Sequence, residues 1–234
     1  GLAALLVRRT DPDATMAVMP ADHVIRSHER FQAALQQAAA MVENVPSRIV
    51  TFGIKPSYAA EIFGYIQRGA ALESPDQVAP TFAVKCFREK PDLITAKEYL
   101  ASGDYLWNSG IFVWKAQTIL DALAERQPQM LAHLQKIVAA WGTSQQEEVL
   151  DTEFRAIQGI SIDYAVMEHA PDVAVIVAPY DWDDLGSWLS LERLLGSDEL
   201  GNTVVGKHLA MNTRGTIVRS SDDHLVVTLG LKDC

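Results

Sequence analysis

Along this chain the spacing of apolar and polar positions switches repeatedly between strand and helix. Thr15–Pro20 (TMAVMP) is short, β-branched and apolar and ends at proline, so it predicts a buried strand. Ser27–Asn44 carries Phe31, Leu35, Ala38, Met41 and Val42 at helical spacing, with Ser27 in the N-cap position. Arg48–Ile54 (RIVTFGI) is the next strand, and this strand–helix–strand unit predicts a parallel pair with a right-handed crossover. Phe82–Phe87 alternates as a strand with one buried face. Asp92–Gly103 is a helix that begins after Pro91 and closes at Gly103. GIFVWKA is a strand, Ala116–Ala140 is helical with a break at Pro128, and Glu147–Ile157 is a further helix. SIDYAVMEH (Ser161–His169) opens as a helix, and Val173–Val177 is a strand. From Gly201 the texture changes to short β-branched stretches punctuated by glycine, which predicts the first turns of a separate β domain.

This order predicts an α/β fold: a mostly parallel, Rossmann-like sheet with helices on both faces over residues 1–200, then the start of a small β domain over 201–234. Composition narrows the partners. A hydrophobic content of 48% supplies a sizeable core, and 21% charged residues excludes global disorder. The net charge of −10 argues against a nucleic-acid backbone as partner, but not against a small anion held by a few cations and a metal. The two cysteines, Cys86 and Cys234, form no CxxC motif and suit a reducing, cytoplasmic setting. No apolar run reaches membrane-spanning length. The chain opens without methionine in a helix-like segment and stops in a β-like pattern, so a fragment cut at both ends is expected.

In such sheets ligands sit at the carboxyl ends of the strands. MPADHVI sets Asp22 and His23 past the end of the first strand, and PYDWDDLGSW sets Asp181, Asp183 and Asp184, with two tryptophans, past the last. Carboxylates that meet in one crevice repel unless a cation sits between them, and hard oxygen ligands suit Mg²⁺ bound to substrate phosphates. The competing reading is a capping Asp22 and a solvated acidic loop. FREKP places Glu89 and Lys90 at a strand end, where lysine can neutralise a phosphate and glutamate can accept sugar hydroxyls; a charged surface turn has the same composition. Asn108-Ser109-Gly110 is a polar turn between large apolar residues, with a glycine that permits close approach of a ligand and an amide that both donates and accepts. Gly64, in FGYI, suits a loop lying flat on a base or sugar, or an ordinary strand glycine.

MPADHVI, TFGIKP, FGYIQRG, FREKPD, YLWNSGIFVWKA, SIDYAVMEH, DWDDLGSW and the GN at 201–202 stand in the order and spacing of the bacterial mannose-1-phosphate guanylyltransferases, which the chain resembles over about residues 1–230. The resemblance implies a sugar-1-phosphate nucleotidyltransferase that forms GDP-mannose and pyrophosphate from GTP and mannose 1-phosphate without a covalent enzyme intermediate. It implies Asp22 and Asp184 as Mg²⁺ carboxylates, with Asp183 as runner-up. It implies Glu89 on mannose hydroxyls, Lys90 near the sugar phosphate, Asn108 and Gly110 along the sugar pocket, and Gly64 and Tyr65 bordering sugar and nucleotide. Asp163 orders the sugar side or caps its helix, and Trp182 and Trp188 are packing residues. The family's glycine-rich phosphate loop is not in this sequence, which implies that this piece alone is inactive, and Phe63 stands where the family carries tyrosine. Two other readings stay open: a non-catalytic paralogue that binds a sugar nucleotide and regulates a partner, and a transferase for another sugar or base. A homo-oligomer is compatible with all three.

Overall fold

The computed structural model describes every residue except 75, 76, 187 and 189, so Ser187 of the DLGSW motif lies outside the described residues. The elements in chain order are α1 (Leu2–Arg8), β1 (Thr15–Val18), β2 (Val24–Ile25), α2 (His28–Asn44), β3 (Ile49–Ile54), β4 (Tyr65–Leu72), β5 (Thr81–Arg88) and α3 (Leu93–Ser102). There follow β6 (Tyr105–Lys115), α4 (Ala116–Arg126), α5 (Pro128–Ala140), α6 (Gln146–Arg155), a π-helical turn (Asp163–Met167), β7 (Val173–Val177), β8 (Trp182–Asp183) and α7 (Ser190–Leu195). The last strands are β9 (Thr203–Val205), β10 (Lys207–Met211), β11 (Ile217–Arg219) and β12 (Leu225–Leu229).

Packing divides the chain into two compact units, Gly1–Pro20 with Ser27–Tyr180, and Ala21–Arg26 with Asp181–Cys234. This division by packing falls at Tyr180/Asp181, and the second unit includes six residues from the early chain.

The first unit is built on a six-stranded sheet of order β1-β6-β3-β7-β5-β4, in which β6 also pairs with β4. Four strands, β1, β3, β7 and β4, run one way, and β6 and β5 run the other. The expected parallel pairing of the first two long strands is corrected: β6 inserts between β1 and β3 and is antiparallel to both, so within this sheet only β3 and β7 are parallel neighbours among the described residues. β1 is therefore an edge strand, half exposed rather than buried. β6 is longer than expected because Asn108-Ser109-Gly110 does not turn the chain. It forms a bulge inside the strand, where the pairing with β3 shifts between Thr51 and Gly53 and Gly110 takes a φ of +69°.

Alternation along the strands feeds two faces. Ile49, Phe112, Trp114, Val173 and Val175 join α1, α4, α5 and the π-helical turn in one core. The intervening positions are also buried, and α2 packs against β1, β3 and β6. Gln37 of α2 is buried there with its amide satisfied: Nε2 donates to the Ala79 carbonyl and to Thr81 Oγ1, and Oε1 accepts from the Val78 and Ala79 N–H groups. Local signals set several boundaries. Asp92 caps α3 through Thr95 N–H at 2.8 Å, and Gly103 closes it with a left-handed φ of 70°.

In the second unit β2 pairs antiparallel with β8. β9 pairs in parallel with β11, and β10 with β12. Among the described residues, no helix is long and apolar enough to cross a membrane.

Candidate active site

In the first unit the residues singled out from FGYI, FREKP, WNSG and SIDY converge. Gly64 precedes β4, and its carbonyl accepts from the Asn108 N–H at 2.8 Å. A Cβ on Gly64 would stand 2.5 Å from Glu89 Oε2 and 3.4 Å from Asn108 Cβ, so glycine here makes room for the glutamate. Asn108 is oriented by its own bulge: Oδ1 accepts from Gly110 N–H at 3.1 Å, and Nδ2 donates to Asp163 Oδ1 at 3.3 Å. Beneath it the Thr51 hydroxyl donates to the Ile111 carbonyl at 3.0 Å.

Burial raises the Glu89 carboxyl above its ordinary range; Asp163 and Glu168 add to the rise and Lys90 partly offsets it. Burial also raises Asp163, against hydrogen bonds from its own backbone and Asn108. Lys90 Nζ lies 3.7 Å from Glu89 Oε1, with the lysine side chain 63% exposed and the glutamate 13%. Lys90 holds a left-handed φ of 45° immediately before Pro91. The proline disfavours ordinary helical geometry for this residue, and such strained positions gather at functional sites.

Tyr65 is corrected. Its side chain has no exposure, its hydroxyl accepts from Ala60 N–H at 2.9 Å, and its ring packs 5.3 Å from that of Tyr99. It is a core residue and offers no side-chain atom to a ligand. Sequence reasoning passed over Glu168, although SIDYAVMEH contains it; five residues from Asp163 across a π-helical turn, it falls close enough to act on both carboxylates.

In the second unit, the β2–β8 pairing aligns Val24 with Asp183 and Ile25 with Trp182. One residue further, this antiparallel register sets His23 beside Asp184, with Asp22 next along. Trp182 Nε1–H donates to His23 Nδ1 at 3.0 Å. Burial lowers the His23 pKa, and the charges of Asp22, Asp184 and Asp183 all pull the other way.

The two adjacent aspartates differ. Asp183 takes three bonds: Oδ2 accepts from Arg193 Nε at 2.9 Å, and Oδ1 accepts from Arg193 Nη2 at 3.1 Å and from Leu185 N–H at 3.0 Å. Burial pushes its carboxyl up, but these bonds outweigh burial and hold it below the usual range. Asp184 Oδ1 is buried and takes no hydrogen bond among the described residues; Arg193 Nη2 stands 3.8 Å from it. Leu185 follows with a φ of 44°, and a Cβ on Gly186 would lie 2.9 Å from Asp184 Oδ2. Glycine at 186 thus leaves room for the Asp184 carboxylate. Beside it, Val24, Arg26, Asp181, Trp182, Asp183, Arg193 and Leu194 line a cavity of about 220 Å³.

A buried carboxylate oxygen without a donor fits a cation, and aspartate oxygens suit a hard one. No three His, Cys, Asp or Glu side chains form a ready metal cage among the described residues. Two protein carboxylates with the remaining positions filled by phosphate oxygens and water is the usual way Mg²⁺ is held with a nucleotide.

The chain belongs to the nucleotidyl transferase family, whose model matches residues 2–199. It is 39% identical, over 99% of its length, to the xanthan biosynthesis protein XanB of Xanthomonas campestris pv. campestris strain B100. It is 37% identical, again over 99%, to the mannose-1-phosphate guanylyltransferase of Escherichia coli strain K12. In each case it covers 48% of the relative, so the chain spans about half the length of the curated relatives it matches. A crystal structure described as mannose-1-phosphate geranyltransferase from Thermus thermophilus superposes with a TM-score of 0.78 at 30% identity, covering 99% of this chain and 64% of that one.

Proposed function

We propose that the protein transfers a guanylyl group from GTP to mannose 1-phosphate. A phosphate oxygen of the sugar phosphate attacks the α-phosphorus of GTP. The new P–O bond forms as the α–β bridging bond breaks, and its electron pair leaves with pyrophosphate. The support is the similarity to mannose-1-phosphate guanylyltransferases across nearly the whole chain, together with two clusters whose chemistry matches the two halves of the task.

Glu89, Asn108 and Asp163 supply acceptors and a donor for sugar hydroxyls, and Gly64 and Gly110 let the ring approach the backbone. A sugar that brings hydroxyl donors to Glu89 and Asp163 relieves the repulsion between these carboxylates. The exposed amine of Lys90 neutralises the sugar phosphate. Asp22 and Asp184 would hold Mg²⁺, which when bound neutralises charge on the phosphates of GTP. Positioning and charge neutralisation then account for the acceleration, as in other phosphoryl-type transfers. A cytoplasmic setting suits both substrates and the free thiols of Cys86 and Cys234.

The observation that carries the reading is the unbonded Asp184 Oδ1 at the end of β8. Release of pyrophosphate by the intact protein, measured over the four common nucleoside triphosphates and the 1-phosphates of mannose and glucose, tests it. The expected preference is GTP with mannose 1-phosphate. Equal or better turnover with another pair reassigns the substrate, and no turnover with any pair in the presence of Mg²⁺ overturns the proposal.

A further inference from the structure

We propose that Arg193 decides which of the two adjacent aspartates takes the metal, a step that rests on the metal reading above. Asp183 and Asp184 are chemically identical and one residue apart, so their composition gives no reason for one to be the ligand and not the other. The guanidinium fork of Arg193 matches the carboxylate of Asp183 in the two-bond geometry arginine favours, with Nε on Oδ2 at 2.9 Å and Nη2 on Oδ1 at 3.1 Å. Nη2 is in turn fixed by Ser190 Oγ at 3.0 Å. The Leu185 N–H adds a third bond to Asp183, and this bond closes the turn that carries Leu185 into its strained φ. A metal binding to Asp183 would have to compete with these bonds. Asp184 Oδ1 has none to break among the described residues. Arg193 therefore acts as a positioning residue: it makes Asp183 structural and leaves Asp184 as the ligand. From 3.8 Å it also holds a positive charge near Asp184, which moderates metal affinity.

Removal of the fork should then free Asp183 to serve as a ligand. Mn²⁺ alone is the probe, and binding to the intact protein is followed by electron paramagnetic resonance, with melting temperature as the check on folding. Asp184→Asn should weaken Mn²⁺ binding at least tenfold. Adding Arg193→Gln to Asp184→Asn should recover several-fold of this loss through the released Asp183. The gain in that background should exceed the gain from Arg193→Gln alone, because a purely electrostatic effect of lost charge would be the same in both. If Arg193→Gln fails to fold, Arg193→Lys, which keeps the charge without the fork, should show the same non-additivity at smaller size. Equal gains in the two backgrounds, or Asp184→Asn binding as well as wild type, overturn the role of Arg193. A wild-type protein that binds no Mn²⁺ overturns the metal reading itself.

Discussion

The carboxylates of the first unit and those of the second meet opposite treatment. Glu89 and Asp163 are half-buried near each other and near Glu168, with Asn108 and the mostly exposed Lys90 as counterweights, and both are raised above the ordinary carboxylate range. Asp183 is partly buried too, yet the fork of Arg193 holds it below that range. The first arrangement leaves acceptors that a ligand can satisfy, at a standing cost to the unliganded fold. The second commits the hydrogen bonds of a guanidinium to one acid and leaves its neighbour 3.8 Å from the same cation. Carboxylates raised by burial and neighbouring acids in the first unit thus contrast with a carboxylate lowered by an arginine fork in the second.

Breaking the metal side should have the largest effect. Asp184→Asn is expected to lower turnover on the order of a thousandfold with the melting temperature retained, whereas normal turnover at low Mg²⁺ would point to Asp183. Gly64→Ala comes next. Its methyl group would displace the Glu89 carboxylate, a movable side-chain end, so the fold should survive while kcat/KM for mannose 1-phosphate falls about a hundredfold. An unchanged KM for the sugar phosphate would detach Glu89 from that substrate. Lys90→Ala should raise the KM for mannose 1-phosphate about tenfold, the size of one charge-assisted hydrogen bond, and leave that for GTP unchanged. A rise confined to GTP would move Lys90 to the other substrate.

The smallest effect sharpens the comparison in stability. Glu89 has a folded pKa above its unfolded value, so the folded state binds the proton more tightly and wild-type Glu89 destabilises the fold at neutral pH. Glu89→Gln should raise the melting temperature at pH 7 by about 2 °C, with activity lost. That gain should shrink as pH falls through the raised folded value toward the ordinary glutamate range. A gain that grows on acidification would contradict the sign of the shift.

Much of the frame was legible because its signals are local. Pro91, Asp92 and Gly103 fix α3 within a residue, Pro128 separates α4 from α5, and the apolar run Val173–Val177 is β7 as read. What was not legible depends on partners distant in sequence. The insertion of β6 between β1 and β3 is a long-range pairing with no trace in the periodicity of either strand. Asn108-Ser109-Gly110 carries turn chemistry, yet neighbours on both sides hold it in the sheet as a bulge. The placement of Glu89 beside Gly64 and Asn108 follows from the β4–β5 and β4–β6 pairings, which bring three separate motifs together. Tyr65 reads as a binding aromatic from FGYI, but alternation at the start of β4 turns it into the core. Arg193, ten residues beyond Asp183 on a short helix, has no motif around it, and only the fold shows which acid it holds.

The proposed reaction is tested most directly by phosphorus NMR of the intact protein with GTP, mannose 1-phosphate and Mg²⁺. The expected result is loss of both substrate signals, with equal growth of pyrophosphate and of the diphosphate pair of GDP-mannose, reversed when pyrophosphate is added. Formation of GDP and inorganic phosphate, or GTP left intact beside unchanged mannose 1-phosphate, would contradict it.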